Sequence, residues 1–594
     1  MVAQSDVGFS EVRSHASNHS GSTSRTKFAV LGGLFLLSIF IGQGIVFIRT
    51  NSQTIDEAMH LAAGYSYLAT GDFRIEPQNP PLIKELLALP LFLAYRLPFN
   101  PDPQQWHDAN GYLIGQELLY RSTVPADRIL TWGRLPNLFL GSLLVALSGW
   151  WAYRLWGDSA ALLAVALACV DPNLVAHSSL VTTDIGATLF MFLAVYLLWE
   201  FLNSPGWSLL AGTGISTGMA LLCKFSGILL IPILGLVVAG SALMNRELFA
   251  FLPARQKQSG PLNRLLQSAI ILAFILLVAL LPILPVYFFQ GFRPWLAGLQ
   301  QFLTLSEEGL PGFLMGEHSP HGWWSYFIFS FLLKTPIGTL ILIAASLIFY
   351  RAGRSLAGRE ALFLLAPVLI FFIATTQAKV NIGIRHILPV YPFLFVLASR
   401  LATVRLSRIW LAPTLIGTPV LLTALSVLWI APHQLAYFNE SVGGSGQGYR
   451  YLSDSNLDWG QDLKGLKAYI EKEKLPIIYL SYFGTAPPSY YGIRYQDVAS
   501  KGTLTPPPPE KVPDNAPRKI LAISVYNLQD VSNSSNPLFR WLRLREPIAK
   551  IGYSIFVYDL TNDPVGVMMV KHTSALVGLV PAPDQSIDSK QAKG

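Results

Sequence analysis

The chain has 594 residues, 52% of them hydrophobic and 13% charged, with 14 Trp, 23 Tyr and a mean hydropathy of +0.43. Soluble domains carry roughly 25% charged residues, so the composition excludes a soluble protein over most of the length and points to a bilayer as solvent. The formal net charge of +8 leaves nucleic acid, anionic lipid or membrane topology as its explanation until the basic residues are placed.

The chain opens on a polar, Ser-rich stretch that ends in Arg25 and Lys27, which predicts a disordered cytoplasmic tail over 1–27. A helix that crosses the hydrocarbon core needs about 20 mostly apolar residues. Such runs lie near 28–48, 129–153, 159–175, 184–202, 207–222, 226–244, 266–289, 325–349, 361–377, 386–403 and 410–431. The first is too long for a signal peptide and lacks a small-residue cleavage site, so it is expected as a retained helix. About 11 spans are therefore expected in a membrane domain over 28–431.

With the N-terminus inside, the cytoplasmic loops hold Arg154, Arg246, Arg255, Lys257, Arg264, Arg351, Arg354, Arg359, Arg400, Arg405 and Arg408. The outer loops carry Asp56, Glu57, Asp72, Glu76, Asp102 and Asp108. Cytoplasmic loops favour Lys and Arg, so the basic balance is topological and a nucleic-acid partner loses its support. The protein reads as multi-pass in the cell (inner) membrane, with everything after residue 431 outside the cytoplasm.

Three outer segments are long: 49–128, 290–324 and 432–594. In the first, Asp56–Thr70 and Leu82–Tyr95 have amphipathic spacing and are split by the breaker Glu76-Pro77-Gln78-Asn79-Pro80-Pro81. They are expected as helices lying on the outer leaflet. The last reads as a small α/β domain, with strands at Ile477–Phe483, Ile520–Val525 and Ser554–Leu560. A helix is expected at Gln461–Glu473, and a loop or linker at Pro506–Pro509. Cys169 and Cys223 both sit in apolar runs and offer no metal-ligand or disulfide spacing. No internal repeat is evident.

Ionisable groups near membrane depth are costly and are functional candidates by default. Asp56-Glu57 lies just outside the first span, where a carboxylate can act as general base on a hydroxyl; Asp56 equally suits the N-cap of a helix that begins at Glu57. His60, one turn on, is placed to hydrogen-bond to Asp56, and Asp-Glu-x-x-His is not the zinc-protease motif, so no metal is expected. Asp184, at the outer start of the fourth span, is a second candidate, again with an N-cap as the alternative. Lys379 and Arg385-His386 precede the tenth span and offer either snorkelling charges or a cationic clamp for a lipid phosphate. Lys224 and Lys334 pose the same choice. His318–Trp324 is an aromatic-belt stretch or a ligand lid. Topology puts Asp56, Glu57, Asp184, Lys379 and Arg385 at one outer level.

At these residues the sequence resembles a known family. The acidic pair after the first span, Asn79-Pro80-Pro81-Leu82, Arg134-Leu135-Pro136 and Val181-Thr182-Thr183-Asp184 together resemble the GT-C glycosyltransferases. The kin they indicate are glycosyltransferase family 39, the protein O-mannosyltransferases, and the lipid A aminoarabinose transferase. Leu332-Leu333-Lys334-Thr335-Pro336, Arg385-His386-Ile387-Leu388-Pro389 and Asp454-Ser455-Asn456-Leu457-Asp458-Trp459-Gly460-Gln461-Asp462 are similar to segments of bacterial members that use phospholipid carriers. The resemblance implies an α-helical membrane fold of GT-C type and a polyprenyl-phosphate sugar as donor. It further implies an inverting, metal-independent transfer, with no cofactor beyond the donor, to a protein, lipid or glycan hydroxyl. Asp56 would be the base, Glu57 its support or an acceptor ligand, and Asp184 an orienting group, with His60 and Asn79 as further candidates beside donor or acceptor. Arg385, with Lys379 or His386, would hold the leaving phosphate. Where this chain has Asn79, the aminoarabinose transferase has Lys and many mannosyltransferases have His, so the sugar is left open. A flippase would show repeated halves and polar residues near midplane; a non-catalytic subunit would use the outer domain to bind a partner.

Overall fold

The computed structural model describes residues 10–244, 260–351, 356, 358–404, 411–504 and 509–579. Arg246, Arg255, Lys257, Arg354, Arg405, Arg408 and most of the Pro506–Pro509 run lie outside the described residues. The first helix is Ser10–Thr50. It begins within the expected tail, where no proline interrupts the backbone that leads into the apolar run.

Five helices among the described residues are long and apolar enough to cross a membrane: Lys27–Thr50, Ala126–Trp156, Asp184–Asn203, Phe225–Met244 and Pro261–Val286. Two bent pairs raise that to 7, Asp158–Cys169 with Pro172–Ser178 (66°) and Tyr326–Lys334 with Ile337–Ile348 (110°). Proline causes both bends: Pro172 follows the N-capping Asp171, and Pro336 follows Thr335 in extended backbone. Shorter apolar helices cover Trp207–Cys223, Val390–Thr403 and Thr414–Ile430. The expected run at 361–377 is the helix Arg359–Thr375. Large apolar side chains such as Phe35, Ile270, Leu277 and Trp429 remain exposed on these helices. That is a liability in water and normal against lipid.

The two ends of the bundle differ in chemistry. The helix Asp184–Asn203 carries Asp184 at one end; at the other, Glu200 pairs with Arg154 at 2.5 Å and Arg359 donates to the Leu202 carbonyl at 3.2 Å. Arg264 donates to the Ala242 carbonyl, and Arg400 to those of Ser346 and Phe349. These arginines thus supply donors to carbonyls left free at helix C-termini.

The first outer segment is helical at Glu57–Thr70, Pro81–Pro90 and Gly111–Tyr120. Glu57–Thr70 does not lie on a surface as expected: residues 57–67 are all buried. Glycine permits this. A Cβ at Gly64 would stand 2.0 Å from the Lys84 carbonyl oxygen, and one at Gly115 would stand 2.6 Å from Ala58, so neighbouring helices close onto this one from two sides.

After residue 431 the chain builds a five-stranded sheet. In chain order its strands follow a short hairpin, β1 (Gly312–Leu314) and β2 (Glu317–Ser319). They are β3 (Ile478–Ser481), β4 (Tyr495–Asp497), β5 (Ile520–Ser524), β6 (Ala549–Ile551) and β7 (Ile555–Asp559). The order is β4-β3-β5-β7-β6, with β3 parallel to β4 and β5, and β7 antiparallel to β5 and β6. Helix Leu463–Lys472 packs Leu463, Leu466 and Ile470 into the same core as Leu480 and Val557.

Candidate functional site

Asp56 is the N-cap of Glu57–Thr70 by position, yet its side chain makes no capping hydrogen bond. It pairs instead with Arg385, Oδ2 to Nη1 3.2 Å, across 329 positions of chain. Asp184 likewise opens a helix that has no side-chain cap. Its Oδ1 accepts from Lys224 at 2.6 Å, and its Oδ2 lies 4.0 Å from Arg385, too far for a hydrogen bond. The Arg385 guanidinium lies over the Trp459 ring at 4.3 Å. Two carboxylates and two cations from four separate segments thus form one cluster. Asp56 and Arg385 keep 16% and 11% of their side-chain surface exposed, so the cluster is reachable from outside.

The cluster is built but not saturated. Asp184 Oδ2, Arg385 Nε, His386 Nε2 and His177 Nδ1 are buried without hydrogen-bond partners. Unmade hydrogen bonds are costly in a low-dielectric site, and these four atoms belong to the cluster and to two histidines close enough to feel the charges of Asp184, Lys224 and Arg385. Burial alone would lower the Arg385 pKa; the charges of Asp56, Asp184 and Asp454 raise it instead, so this cation is permanent. Burial, followed by the charges of Lys224 and Arg385, pushes the His386 imidazole well below its usual range. His386 is therefore neutral, and the second cation of the cluster is Lys224.

Glu57 faces away from the open side. Both its oxygens meet Arg134, Oε1 at 2.7 Å from Nε and Oε2 at 2.6 Å from Nη2, and they also accept from the Val181 and Thr54 amides at 2.9 and 2.8 Å. Burial would raise its carboxyl, but Arg134 and the two amides hold it below the usual range. Arg134 reaches on to the carbonyls of Ile48, Asn51 and Ser52. Asn137 donates to those of His177 and Leu180. Glu57 thereby ties the start of its own helix to the 177–183 loop, fixing Asp56 against Asp184.

The structure does not bring the remaining candidates to this cluster. His60 Nδ1 meets Glu76 Oε2 at 2.8 Å rather than the Asp56 carboxylate, and Asn79 donates to Glu76 Oε1 at 2.6 Å. Lys84 completes this buried group through the Glu76 carbonyl and the Tyr67 hydroxyl, each at 2.8 Å. Lys379 donates to the Glu307 carbonyl on an exposed rim. Lys334 is buried and donates to the carbonyls of Leu435 and Asn456. His318 Nε2 donates to the Gln529 carbonyl, 2.7 Å away, which docks its stretch on the C-terminal domain. Among the described residues no group of three or more His, Cys, Asp or Glu side chains could hold a metal ion. Two site residues escaped sequence reasoning as individuals, Trp459 and Asp454, although both lie in the Asp454–Asp462 motif quoted above.

Solved structures resemble the chain at low identity. ArnT from Cupriavidus metallidurans in its apo state is 16% identical with a TM-score of 0.45, covering 90% of this chain and 98% of that one. The same protein bound to undecaprenyl phosphate gives 15% and 0.47 over the same shares. The Pmt1-Pmt2 O-mannosyltransferase complex of S. cerevisiae, bound to its sugar donor, gives 19% and 0.32, covering 44% of this chain and 34% of that one. No curated protein sequence matches. Residues 34–293, which include Asp56, Glu57, Asp184 and Lys224 but not Arg385, match the model of the family described as dolichyl-phosphate-mannose-protein mannosyltransferase.

Proposed function

We propose that this protein transfers a sugar from a polyprenyl-phosphate donor to a hydroxyl of a protein, lipid or glycan acceptor. In this reading the transfer inverts the anomeric centre, needs no metal, and takes place on the outer face of the cytoplasmic membrane. The N-terminus is cytoplasmic, and about 11 spans, several of them bent or short, leave the C-terminal domain outside. One observation carries the reading: Asp56 spends its carboxylate on Arg385 rather than on its own helix, beside Asp184 and Lys224.

The donor phosphate competes with Asp56 for Arg385, and its capture frees the carboxylate to act as base. The acceptor oxygen attacks the anomeric carbon as Asp56 takes its proton. The bond from that carbon to the phosphate oxygen breaks, and polyprenyl phosphate leaves with the electron pair. Arg385 and Lys224 stabilise the charge that develops on the phosphate. A phosphate leaves without an acid, so one base and a cationic clamp suffice for an oxocarbenium-like displacement.

The test follows polyprenyl phosphate released by purified protein in detergent, with a panel of polyprenyl-phosphate sugars, crude membrane acceptors and EDTA. Wild-type release that persists in EDTA and falls at least about a hundredfold in Asp56→Asn is expected. Full activity in Asp56→Asn would remove Asp56 as base.

A further inference from the structure

The residues before Asp56 and those before Arg385 are both held by the same short loop of the C-terminal domain. On one side, the Ile55 amide donates to the Trp459 carbonyl at 3.0 Å and the Ser52 amide to that of Gln461 at 2.8 Å. The Ser52 hydroxyl accepts from the Leu463 amide, and Thr485 Oγ1 donates to the Ile55 carbonyl at 3.0 Å. On the other side, Asn456 Oδ1 accepts the Ile384 amide at 3.0 Å, and Ser455 Oγ donates to the Ile382 carbonyl at 2.8 Å. Gly383 lies so flat on this loop that a Cβ there would stand 2.1 Å from Ser455 Oγ.

Asn456 is itself fixed. Its Nδ2 donates to the Tyr326 hydroxyl at 2.8 Å and to the Ser453 carbonyl at 3.1 Å, and its own carbonyl accepts from Lys334. Trp459, only 2% exposed, lies beneath the Arg385 guanidinium, the side an anion would not occupy. A cation over an indole face is worth most when desolvated. Asp454 holds a left-handed backbone, φ 57°, at the start of this loop, a conformation that a non-glycine residue keeps only when its surroundings impose it.

We propose that the 454–462 loop sets the spacing of Asp56 and Arg385, with Asn456 and Trp459 as positioning residues for the phosphate clamp. The proposal rests on the reading that Arg385 binds the donor phosphate. It gives the C-terminal domain a part in the reaction without contact with the sugar: the loop delivers Arg385 to the phosphate at the right distance from the base.

The test measures affinity of the full chain in detergent for a short polyprenyl phosphate, in wild type, Arg385→Ala, Asn456→Ala, Trp459→Leu and Trp459→Phe. Each of the last three is also made in the Arg385→Ala background. Asn456→Ala and Trp459→Leu are expected to weaken binding about tenfold, Trp459→Phe far less, and none of them to weaken it further once Arg385 is gone. A loss of the same size with and without Arg385 would mean a general structural role and overturns the proposal, as does wild-type affinity in Asn456→Ala and Trp459→Leu. Unchanged binding in Arg385→Ala would instead remove Arg385 as the clamp and the proposal with it. Should Asn456→Ala not fold, the two Trp459 variants carry the same comparison.

Discussion

Adjacent carboxylates in this chain have opposite fates, and their partners decide which. Glu57 is wholly buried and meets Arg134 at 2.6 and 2.7 Å, whereas Asp56 is partly open and holds one bond at 3.2 Å. Removing one partner of a buried ion pair leaves the other charge uncompensated, at a cost of roughly 3–5 kcal/mol. Glu57→Gln should therefore lower thermal stability strongly, and Asp56→Asn should leave it within about 1 kcal/mol while abolishing turnover. Melting of the two variants in detergent checks this; a Glu57→Gln protein that melts like wild type and loses only turnover would return Glu57 to the substrate. The expectation that Asp56, Asp184 and Arg385 share one level agrees with their meeting in one cluster. The division of labour within the pair Asp56-Glu57 was not legible, because it depends on Arg134, 77 positions away along the chain. His60 and Asn79 illustrate the same limit. Both stand at motif positions, yet Glu76, between them in sequence, gathers their side chains into a separate buried group.

At the scale of elements, apolar runs locate most helices, and the misfits occur where a run is broken. Lys334-Thr335-Pro336 interrupts one run with a 110° bend, which frees backbone carbonyls within an apolar stretch. Such breaks persist only where protein supplies the missing donors. Asn439 does so, its Nδ2 donating to the carbonyls of Leu332 and Thr335 at 2.6 and 2.9 Å and its amide to that of Leu333 at 2.9 Å. Asn173 takes the Lys334 carbonyl at 2.9 Å. Asn439→Leu keeps the size of the side chain, removes two donors and the acceptor for Ser441, and should cost roughly 2–4 kcal/mol, chiefly through two unsatisfied carbonyls. Asn439→Ala would add a cavity and blur the comparison. An Asn439→Leu protein as heat-stable as wild type would show that the bend does not need the two side-chain donors of Asn439. Nothing in the linear sequence couples residue 439 to the bend, since neither run nor motif marks it. The expectation that Asp56–Thr70 lies on the leaflet failed for a related reason: its one glycine, Gly64, and Gly115 on the neighbouring helix look like weak helix formers in sequence and act as contact points in three dimensions.

For the whole molecule, the sheet domain and the membrane helices are joined by the 454–462 loop, most of which is buried and hydrogen-bonded to residues 52–55 and 382–384. That burial has a pH signature. Burial raises Asp454 to about 7 even though Arg385 pulls it down, and raises Asp458 to about 8 against the amides of Tyr526 and Gly460. An unfolded Asp titrates near 3.9. Below that pH both states are protonated and the groups contribute nothing; as pH rises towards 7 the unfolded chain ionises while the folded loop stays protonated, so stability falls across that window and levels off above it. Asp454→Asn removes the titration, keeps an acceptor for the Ser455 amide that Oδ1 now holds at 2.6 Å, and suits the left-handed backbone better than most residues. The melting temperature of Asp454→Asn should match wild type near pH 4.5 and exceed it by roughly 2 °C at pH 8. Measuring the difference between two proteins at each pH cancels every other titrating group, including carboxylates such as Glu57 that shift the opposite way. A difference that is flat across this range would mean that Asp454 is ionised in the folded protein throughout. The loop would then present a third permanent carboxylate whose charge acts on Arg385 together with those of Asp56 and Asp184, and the donor phosphate would meet a more acidic surrounding.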